Sequence, residues 1–490
     1  MEDNDNSNKN DNSNKEVTRR KFLKTGLTAG AGMAAFGGIT FVTHPERVFG
    51  ANDRVRVAIV GLHGRGMDHV RNYSKISNAQ IAAVCEVDEN VLRERLAQMD
   101  KMGIPKPVTY FDVRKLIDDK SIDAISIATS NHWHALIAIW ACQNGKDVYV
   151  EKPCCHNIWE GRQMVRATER YKRIMQHGTQ IRSAAAIREG VQKLHDGMLG
   201  DLYMARGICF KWRNTIGRAP VQPVPAGVHY NLWTGPAPMH AFTKNRFLYN
   251  WNWFWWYGNG DLGNQGIHQV DLARWGLGVG FPNKVCAIGG HFMFDDDQET
   301  PNDISCGFEF DLPNGKRKMM TFEVRHWITN NEAGIGTPAL GTPAAPSGGP
   351  SGQAGSLGPV SSPHNAIGDM FFGPKGYMST GDEDAQTYKV WLGENQEAQP
   401  AVHSTGDEHA HFSNFIDCVI SRKAEDLHAP IQEGFISACL VHLANASYRL
   451  GRAIYFDPDT QRVIGDEEAE IMLRDGGRGY RAPFVVPEEV

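Results

Sequence analysis

The pattern of apolar and polar positions changes once along the chain. Up to residue 177, short apolar runs alternate with helical segments, as expected for a parallel sheet covered by helices. The apolar runs are 55–60, 81–85, 124–128, 147–150 and 174–177, and the helical segments are 91–102, 112–118, 134–144 and 159–171. This alternation predicts an α/β domain over residues 51–177 with a doubly wound parallel sheet.

Beyond residue 178, strands follow one another with few helices between them. The β-rich stretches are 202–212, 284–294, 304–312, 318–327, 371–379 and 387–392, and the helical ones are 190–198, 267–277, 411–421 and 434–450. This order predicts a C-terminal α+β domain over residues 178–490 with an open, mainly antiparallel sheet. Residues 331–363 are rich in Gly, Ala, Pro and Ser, which predicts a long surface loop or insert inside that domain.

The first 50 residues form a separate segment. Residues 1–16 are almost entirely polar and cannot form a core. Thr18-Arg19-Arg20-Lys21-Phe22 resembles a twin-arginine export signal, and the Gly/Ala-rich stretch 25–42 follows it. We expect export of the folded protein to the periplasm, with no membrane segment after removal of the signal. The alternatives are an uncleaved membrane anchor and a chance pair of basic residues, and the sequence leaves cleavage before Ala51 open.

Composition and charge narrow the function classes. The chain has 490 residues, of which 41% are hydrophobic and 22% charged, and its formal net charge is −5. An acidic balance gives no reason to expect nucleic acid as a partner. The nine cysteines are scattered, so disulfides are not required. His132-x-His134 and His409-x-His411 lack further ligands at zinc-like spacing, so we predict no metal site.

A glycine turn follows the first apolar strand. Gly61, Gly64 and Gly66 precede a helical segment, and strand, glycine turn and helix in that order form a Rossmann dinucleotide site. His63 stands where the fingerprint has a glycine, while Gly64 and Arg65 offer backbone freedom and an additional phosphate contact. The turn therefore predicts contacts to the pyrophosphate of a dinucleotide.

Polar residues at the ends of two neighbouring strands complete the predicted cofactor site. Glu86 ends the second strand, where a carboxylate accepts hydrogen bonds from the adenosine ribose and repels a 2′-phosphate. It favours NAD over NADP; the alternative is a solvated strand end. Thr129, Asn131 and His132 follow the strand 124–128 in a predicted loop at the edge of the sheet where ligands bind.

Several stretches together resemble the Gfo/Idh/MocA oxidoreductase family. They are Gly61–Gly66, Ala128–Thr129 with His132-Trp133-His134, Glu151-Lys152-Pro153, Gly263–Asp271, Phe372–Met378 and Tyr448–Arg452. The resemblance implies a Rossmann domain followed by an α/β domain whose open sheet carries the substrate site. It also implies a homo-oligomer, most simply a dimer or tetramer, formed through that sheet.

Within this resemblance, Lys152 and His268 are the expected acid/base residues. When a hydride leaves a carbinol carbon, the hydroxyl proton must leave too, so an acid/base has to touch that oxygen. Lys152 serves if burial lowers its pKa. Asp271, three residues after His268, is positioned to hold the imidazole tautomer and is predicted to belong to the substrate-binding residues. Asn264 replaces an aspartate that many members carry, and since an amide transfers no proton, we assign it substrate binding only.

Further contacts are predicted around this pair. Glu151 and Gln180 are expected near the nicotinamide, and Arg182 either contacts the substrate or pairs with an acid. The segment 250–261 holds four tryptophans, and aromatic faces bind the apolar faces of sugars, so Trp253 and Tyr257 are predicted substrate-binding residues. A packed hairpin or an oligomer interface is the alternative for this segment.

Three functions remain open. The first is an exported, NAD-dependent oxidoreductase acting on a sugar or glycoside hydroxyl with a retained cofactor, so that its net reaction can be transhydrogenation between two sugars. The second is a redox-neutral glycosidase or lyase, in which transient oxidation to a ketone permits β-elimination of the glycosidic bond. The third is a non-catalytic sugar-binding protein.

Overall fold

A computed structural model describes the chain from residue 54 onward, with gaps. The described residues are 54–326, 330, 332–333, 335, 365–381, 387–405, 407–475, 477 and 479–490. The predicted export signal lies outside these residues, as does nearly all of the predicted insert 331–363. Within the described part, no helix combines the length and the apolar character needed to cross a bilayer.

The N-terminal sheet has six parallel strands in the order β3-β2-β1-β4-β5-β6. The strands are β1 Val55–Val60, β2 Ala79–Cys85, β3 Val108–Tyr110, β4 Ala124–Ile127, β5 Asp147–Val150 and β6 Met175–His177. The helices between them are α1 Arg65–Tyr73, α2 Glu89–Lys101, α3 Val113–Asp118, α4 Asn131–Gln143 and α5 Ile158–Tyr171. The strand order reverses between β1 and β4, which opens a crevice at their carboxyl ends.

One boundary differs from the prediction at this crevice. Asn131 and His132 were expected in a loop, but they are the first two residues of α4. Nearly every residue of α4 is buried, so no polar face marks where the helix begins. Ser130 occupies the N-cap position without a capping hydrogen bond from its side chain, so the usual start signal is also missing.

The C-terminal sheet has eleven strands and is mainly antiparallel, as predicted. Its longest strands are β7 Met204–Lys211, β8 Lys284–Gly290, β9 Asp303–Asp311, β10 Arg317–His326, β11 Ala366–Gly373, β12 Gly376–Gly381 and β13 Thr387–Leu392. The short strands are β14 Glu397–Ala398, β15 Val402–His403, β16 Ile454–Asp457 and β17 Arg462–Val463. Among the strand pairs described, β7 with β10 is parallel and the others in this sheet are antiparallel.

Helices cover one face of this sheet. The remaining helices are α6 Ala185–His195, α7 Tyr230–Thr234, α8 Gly260–Gly263, α9 Gly266–Leu277, α10 Asp407–Ser421, α11 Ile431–Leu450 and α12 Glu467–Asp475. Helix α9 packs on β7 and β11, and α11 packs on β8. The apolar stretch predicted at 371–379 is a hairpin: β11 and β12 turn at Pro374–Lys375, between the paired glycines 373 and 376.

Helix α10 lies far beyond the predicted boundary at residue 177, yet it completes the core of the N-terminal domain. Phe412, Phe415 and Ile416 pack in one buried cluster with Val57 and Ile59 of β1. The amphipathic pattern of α10 shows that one of its faces is buried, but the pattern carries no information about which sheet it covers. The chain thus returns through α10 to the dinucleotide-binding sheet.

Candidate active site

A cleft of about 550 Å³ opens at the carboxyl ends of the N-terminal strands. The glycine turn after β1, Glu86 after β2, the start of α4 and Lys152 after β5 form one wall. The 3-10 segment Leu248–Trp253 and Asn264 of the C-terminal domain form the facing wall. This is a volume typical of small-molecule sites, and the cleft lies at the point where the strand order reverses.

The glycine turn has the close backbone contacts of a dinucleotide cradle. Gly61 has φ +86°, and a Cβ there would lie 2.8 Å from the carbonyl oxygen of Ala128. A Cβ on Gly66 would lie 1.8 Å from the carbonyl oxygen of Gly61, so helix and turn touch through backbone. A Cβ on Gly64 would meet no protein atom within 4 Å and would face the open cleft. His63 also lines the cleft, and burial lowers its pKa.

Glu86 is fixed at the predicted place. One carboxylate oxygen accepts a hydrogen bond from the backbone N–H of Leu62 at 2.8 Å, and the other accepts one from Asp88 N–H at 3.1 Å. A carboxylate has about four acceptor positions, so capacity for ribose hydroxyls remains. The cradle and this carboxylate fit the adenosine and pyrophosphate of NAD.

Arg65 and Gln180 converge on Glu151. The Arg65 Nε lies 2.8 Å from Glu151 Oε1, Gln180 Nε2 donates to the same oxygen at 3.0 Å, and His69 Nε2 lies 3.1 Å from it. Arg65 also pairs with Glu408 of α10. Burial alone would raise the pKa of Glu151, but Arg65 and His69 hold this pKa well below its ordinary value. The predicted phosphate contact of Arg65 competes with two carboxylates, and Glu151 braces the turn that carries the next residue, Lys152.

The two histidines near the start of α4 lie in different places relative to the cleft. Thr129 and Asn131 line the cleft as predicted. His132 is 1% exposed and its Nε2 lies 3.1 Å from the carbonyl oxygen of Trp233, so it packs behind the cleft wall instead of facing the cofactor site. His134 lines the cleft, with Nδ1 2.7 Å from the Pro153 oxygen and Nε2 3.0 Å from that of Thr129. Residues two apart on a helix point to different sides, which explains why His134 lines the cleft and the predicted His132 does not.

Lys152 and Asn264 join the two walls of the cleft. The Lys152 Nζ donates to the backbone carbonyl of Asn264 at 2.7 Å and lies 3.4 Å from its side-chain oxygen. Burial lowers the pKa of Lys152 to about 8; Glu151 opposes this shift, and the charge of Arg65 adds to it. A lysine with this pKa exchanges protons near neutral pH, as an acid/base requires.

His268 lies one helical turn beyond Asn264, near the start of α9. Burial, and then the charge of Lys152, holds its pKa well below the ordinary value, so the ring is neutral. Its buried Nδ1 has no hydrogen-bond partner in the described part of the chain. His268 is not among the residues that line the cleft, so this nitrogen is unpaired but enclosed within the protein.

Asp271 does not orient His268, contrary to the prediction. Its carboxylate is held by Arg182 at 2.7 and 3.0 Å and by the Ser437 hydroxyl at 2.6 Å. Arg182 and Asp271 are 5% and 2% exposed, so they pair with each other inside the domain and neither lines the cleft. Helix α9 is buried on almost every side, so residue spacing along it did not identify the partner of each side chain.

Within the aromatic segment 250–261, substrate binding was predicted for the wrong side chains. Trp253 and Tyr257 are 3% and 0% exposed and belong to a hydrophobic cluster, so neither presents a face to a ligand. Trp251 of the same segment and Tyr249, which directly precedes that segment, line the cleft instead, together with Trp233. The packed arrangement that was the alternative reading holds for the two predicted residues, and the aromatic wall is built by their neighbours.

A pair of alanine variants distinguishes these roles. Trp253→Ala is expected to lower the free energy of unfolding by about 3–5 kcal/mol, because it removes a buried aromatic side chain. Trp251→Ala is expected to cost well under half of that, because Trp251 is only partly buried at the cleft. Urea denaturation of both variants measures the difference. Equal losses would contradict this assignment.

Three residues that the sequence did not single out form a buried charged cluster behind the facing wall of the cleft. Asp261 accepts two hydrogen bonds of 2.7 Å from Arg213 and lies 2.8 Å from His326 Nε2. Although burial alone would raise it, Arg213 and His326 hold the pKa of Asp261 well below its ordinary value. Its position in a glycine- and tryptophan-rich run was a signal for Asp261. No comparable signal marks Arg213, which follows β7, or His326, which ends β10.

Comparisons of sequence identify relatives of both domains. Residues 55–179 match a family described as an oxidoreductase family with an NAD-binding Rossmann fold, and residues 187–285 and 375–484 match its C-terminal α/β domain. A glycosyl hydrolase family 109 protein of Shewanella pealeana is 34% identical over 122 residues, 24% of this chain and 27% of that protein. One of Saccharopolyspora erythraea is 27% identical over 209 residues, 39% of this chain and 45% of that protein. These matches therefore span less than half of either relative.

Solved structures share the fold at low sequence identity. The aldose–aldose oxidoreductase of Caulobacter crescentus, complexed with glycerol, superposes with a TM-score of 0.58 and 17% identity, covering 82% of this chain and 100% of that one. The WlbA dehydrogenase of Bordetella pertussis, in complex with NADH and UDP-GlcNAcA, superposes with a TM-score of 0.58 and 18% sequence identity. The match covers 82% of this chain and 99% of that one. Since the two family matches extend over both domains and most of the chain, this protein belongs to the Gfo/Idh/MocA oxidoreductase family, and its N-terminal domain is the family's NAD-binding Rossmann fold.

Proposed function

We propose that this protein is an NAD-dependent oxidoreductase that acts on a hydroxyl-bearing carbon of a sugar or glycoside. The observation that carries the proposal is the position of Lys152, which lies at the cofactor edge of the sheet and is bound to Asn264 of the facing wall. A partly buried lysine with a pKa of about 8 is an acid/base matched to proton transfer from a hydroxyl near neutral pH.

The residues of the cleft divide the work. NAD, when bound, accepts or returns the hydride of the carbinol carbon. Neutral Lys152 takes the hydroxyl proton during oxidation, and protonated Lys152 returns it during reduction. The backbone carbonyl of Asn264 holds the Nζ in place, and His268 is assigned a contact from its neutral ring to a second substrate oxygen. The aromatic side chains of Tyr249 and Trp251 supply apolar surface for a sugar ring.

We further propose that the enzyme is exported and retains its cofactor. The support is the twin-arginine-like segment Thr18–Phe22, since that route carries folded proteins, commonly with the cofactor already bound. A periplasmic enzyme has no dependable pool of free NAD, so bound NADH must be reoxidised within the same active site. A second sugar then serves as the hydride acceptor, and the net reaction is a transhydrogenation.

Redox-neutral glycoside cleavage is the second candidate, and the names of the relatives favour it. Oxidation of a sugar hydroxyl to a ketone acidifies the neighbouring C–H, whose proton is lost as the β-glycosidic oxygen leaves. Water then adds to the double bond, and return of the hydride restores the hydroxyl, so no oxidant is consumed. Neutral Lys152 and His268 are two bases available for these proton transfers. Binding of a sugar without turnover is the third candidate.

One experiment orders these candidates. Protein purified without added nucleotide is denatured, and the released nucleotide is identified by mass spectrometry. Stoichiometric NAD or NADH supports a retained cofactor, and NADP would contradict the assignment of Glu86. The native protein is then offered free aldoses, aldose pairs and p-nitrophenyl glycosides. Sugar oxidation supports the oxidoreductase, and p-nitrophenol without net NADH supports cleavage. If the protein binds neither NAD nor NADP, sugar binding without turnover is the one of these three candidates that remains.

We also propose a homo-oligomer that forms through the outer face of the C-terminal sheet. On that face, Ile288 of β8 is 77% exposed, Tyr455 of β16 is 53% exposed and Met319 of β10 is 42% exposed. Strand register places Lys284 and Glu309 between Tyr455 and Met319, so the exposed apolar side chains share one face. An apolar surface of this kind marks an interaction site.

A charge on this face tests the interface. Ile288→Lys is expected to convert the oligomer to a monomer, because a buried lysine without a partner costs several kcal/mol at an interface. Light scattering after size exclusion measures the mass. Met102→Lys is the matched control, because Met102 is also an exposed apolar side chain but lies in the N-terminal domain. A wild-type monomer, or dissociation by both variants, would contradict the proposed interface.

A further inference from the structure

Tyr249 has an unusual hydrogen-bond environment at the cleft. It lies in the 3-10 segment Leu248–Trp253, is partly buried and lines the wall opposite the glycine turn. Its hydroxyl oxygen lies 3.0 Å from an Arg213 guanidinium nitrogen and 3.0 Å from the side-chain nitrogen of Asn264. Both neighbours approach the oxygen with nitrogen atoms, so the direction of these two hydrogen bonds decides where the tyrosine proton points.

The guanidinium of Arg213 can only donate, because it has no acceptor atom. It cannot turn away, because two further N–H groups are bound to Asp261 at 2.7 Å each and its carbon lies 5.0 Å from the centre of the Trp253 ring. Asp261 is itself held by His326 at 2.8 Å. A buried ion pair therefore fixes one donor on the Tyr249 oxygen.

The amide of Asn264 is fixed in the same sense by its two other neighbours. The Lys152 Nζ lies 3.4 Å from Oδ1, and Asp261 Oδ1 lies 3.3 Å from Nδ2. The opposite orientation would direct N–H groups at an ammonium and an oxygen at a carboxylate, so the amide must present its NH₂ group to Asp261 and Tyr249. The second neighbour of the Tyr249 oxygen is therefore also a donor.

A hydroxyl with two donors on its oxygen has used its acceptor capacity and can only donate. Within the described residues, no protein acceptor receives the Tyr249 proton. Tyr249 and Lys152 are bound to opposite ends of the same Asn264 amide, so both face the same part of the cleft. We infer that the Tyr249 hydroxyl is a substrate-contacting donor that binds an acceptor oxygen of the substrate beside Lys152.

This inference rests on the proposed function for its chemistry and makes it more specific. A substrate hydroxyl that accepts a hydrogen bond from Tyr249 directs its own proton toward the lone pair of neutral Lys152. During oxidation that proton moves to Lys152 and the oxygen becomes a carbonyl oxygen; NAD, held by the glycine turn and Glu86, would take the hydride of the C–H bond. The Tyr249 donor stabilises the negative charge that develops on this oxygen, in either direction of the reaction.

Neutron diffraction tests the direction of the proton without any turnover. Crystals of the full chain are exchanged into D₂O and soaked with glycerol as the probe polyol. We expect the Tyr249 deuteron to point into the cleft, at a glycerol or water oxygen, and the two Asn264 deuterons to point at Asp261 and Tyr249. A Tyr249 deuteron directed at the Asn264 side chain would overturn the inference, whether or not any sugar is a substrate.

Kinetics tests the role on any substrate found by the screen described above. Tyr249→Phe keeps the ring and removes the donor, and we expect kcat to fall about 100-fold with little change in KM. The midpoint of the pH profile, set by Lys152, should stay near 8. Tyr377→Phe is the matched control, since Tyr377 stacks on Trp391 in the distant β12–β13 pair, and it should retain full activity.

The outcomes separate the two levels of the proposal. Unchanged kcat in Tyr249→Phe would exclude the substrate contact, and a shifted pH midpoint would show that Tyr249 acts only by shaping the surroundings of Lys152. If the wild-type protein turns over no sugar, the proposed function fails, and the neutron map still decides the direction of the Tyr249 proton.

Discussion

Lys152→Met is expected to lower kcat by about 1,000-fold, which is within the range for loss of a positioned acid/base. The change keeps an unbranched side chain of similar length but removes the amine that takes the hydroxyl proton in the proposed reaction. NAD content should be nearly unchanged, because the glycine turn and Glu86 do not depend on the ammonium group. Stopped-flow measurement of NADH formation, together with nucleotide analysis, tests both statements.

The pH dependence gives this prediction a sign. Oxidation needs neutral Lys152, so kcat for oxidation should rise with pH and level off above about 8, the pKa that burial gives this lysine. Reduction needs the protonated form, so its rate should fall as pH passes the same value. A rise in the reduction rate over this range would contradict the assigned role.

A second buried lysine provides a matched control. Lys146 donates to the backbone carbonyls of Asp119 and Ile122 at 2.6 and 3.0 Å, and burial lowers its pKa to about 8 as well. It lies outside the cleft, so Lys146→Met should leave the pH profile of kcat in place. If Lys146→Met removed the transition and Lys152→Met did not, the catalytic assignment would be wrong.

Gly66→Ala is expected to remove the bound nucleotide. The added Cβ would lie 1.8 Å from the carbonyl oxygen of Gly61, so α1 and the glycine turn must separate. Overpacking of this kind costs about 3 kcal/mol, and about 3 kcal/mol corresponds to roughly a 100-fold weaker binding constant for NAD. The nucleotide content of purified protein and calorimetric titration with NAD measure the loss.

Variants of two other glycines distinguish disruption of the glycine turn from obstruction of the cleft as the cause of lost NAD binding. Gly280→Ala makes the same chemical change where a Cβ meets nothing within 4 Å, in the C-terminal domain, so both stability and NAD binding should be retained. Gly64→Ala also meets no protein atom, but its Cβ faces the cleft, so it should preserve the melting temperature and weaken NAD binding. Stoichiometric NAD in Gly66→Ala would contradict the role assigned to this turn.

The nucleotide half of the cleft was readable in the sequence because its parts are local. Gly61 and Gly66 are required by contacts within one strand–turn–helix unit, and Glu86 follows the neighbouring strand in a fixed topology. The same holds for Lys152, which a short motif places at the end of a strand. In each case the backbone geometry of a βαβ unit converts a position in the chain into a position in space.

The facing wall depended on contacts that no local pattern contains. Trp251 and Trp253 lie two residues apart in one aromatic run, and only the packing of the folded segment shows that Trp251 lines the cleft and Trp253 is buried. The expected pair of Asp271 with His268 failed because Arg182, 89 positions away from Asp271, takes its carboxylate. Helical spacing gives the neighbours within a helix but not the partners that other elements bring.

The sequence by itself determined a Rossmann domain with an NAD turn, a mainly antiparallel second sheet and a lysine at the junction. The tertiary structure decided which charges meet across large separations: Arg65 with Glu408, and Asp261 with Arg213 and His326. Hydrophobic periodicity and turn residues encode elements and their order, since these depend on neighbours in the chain. Ion pairs and the direction of hydrogen bonds depend on side chains from separate elements, and they are set only when those elements pack.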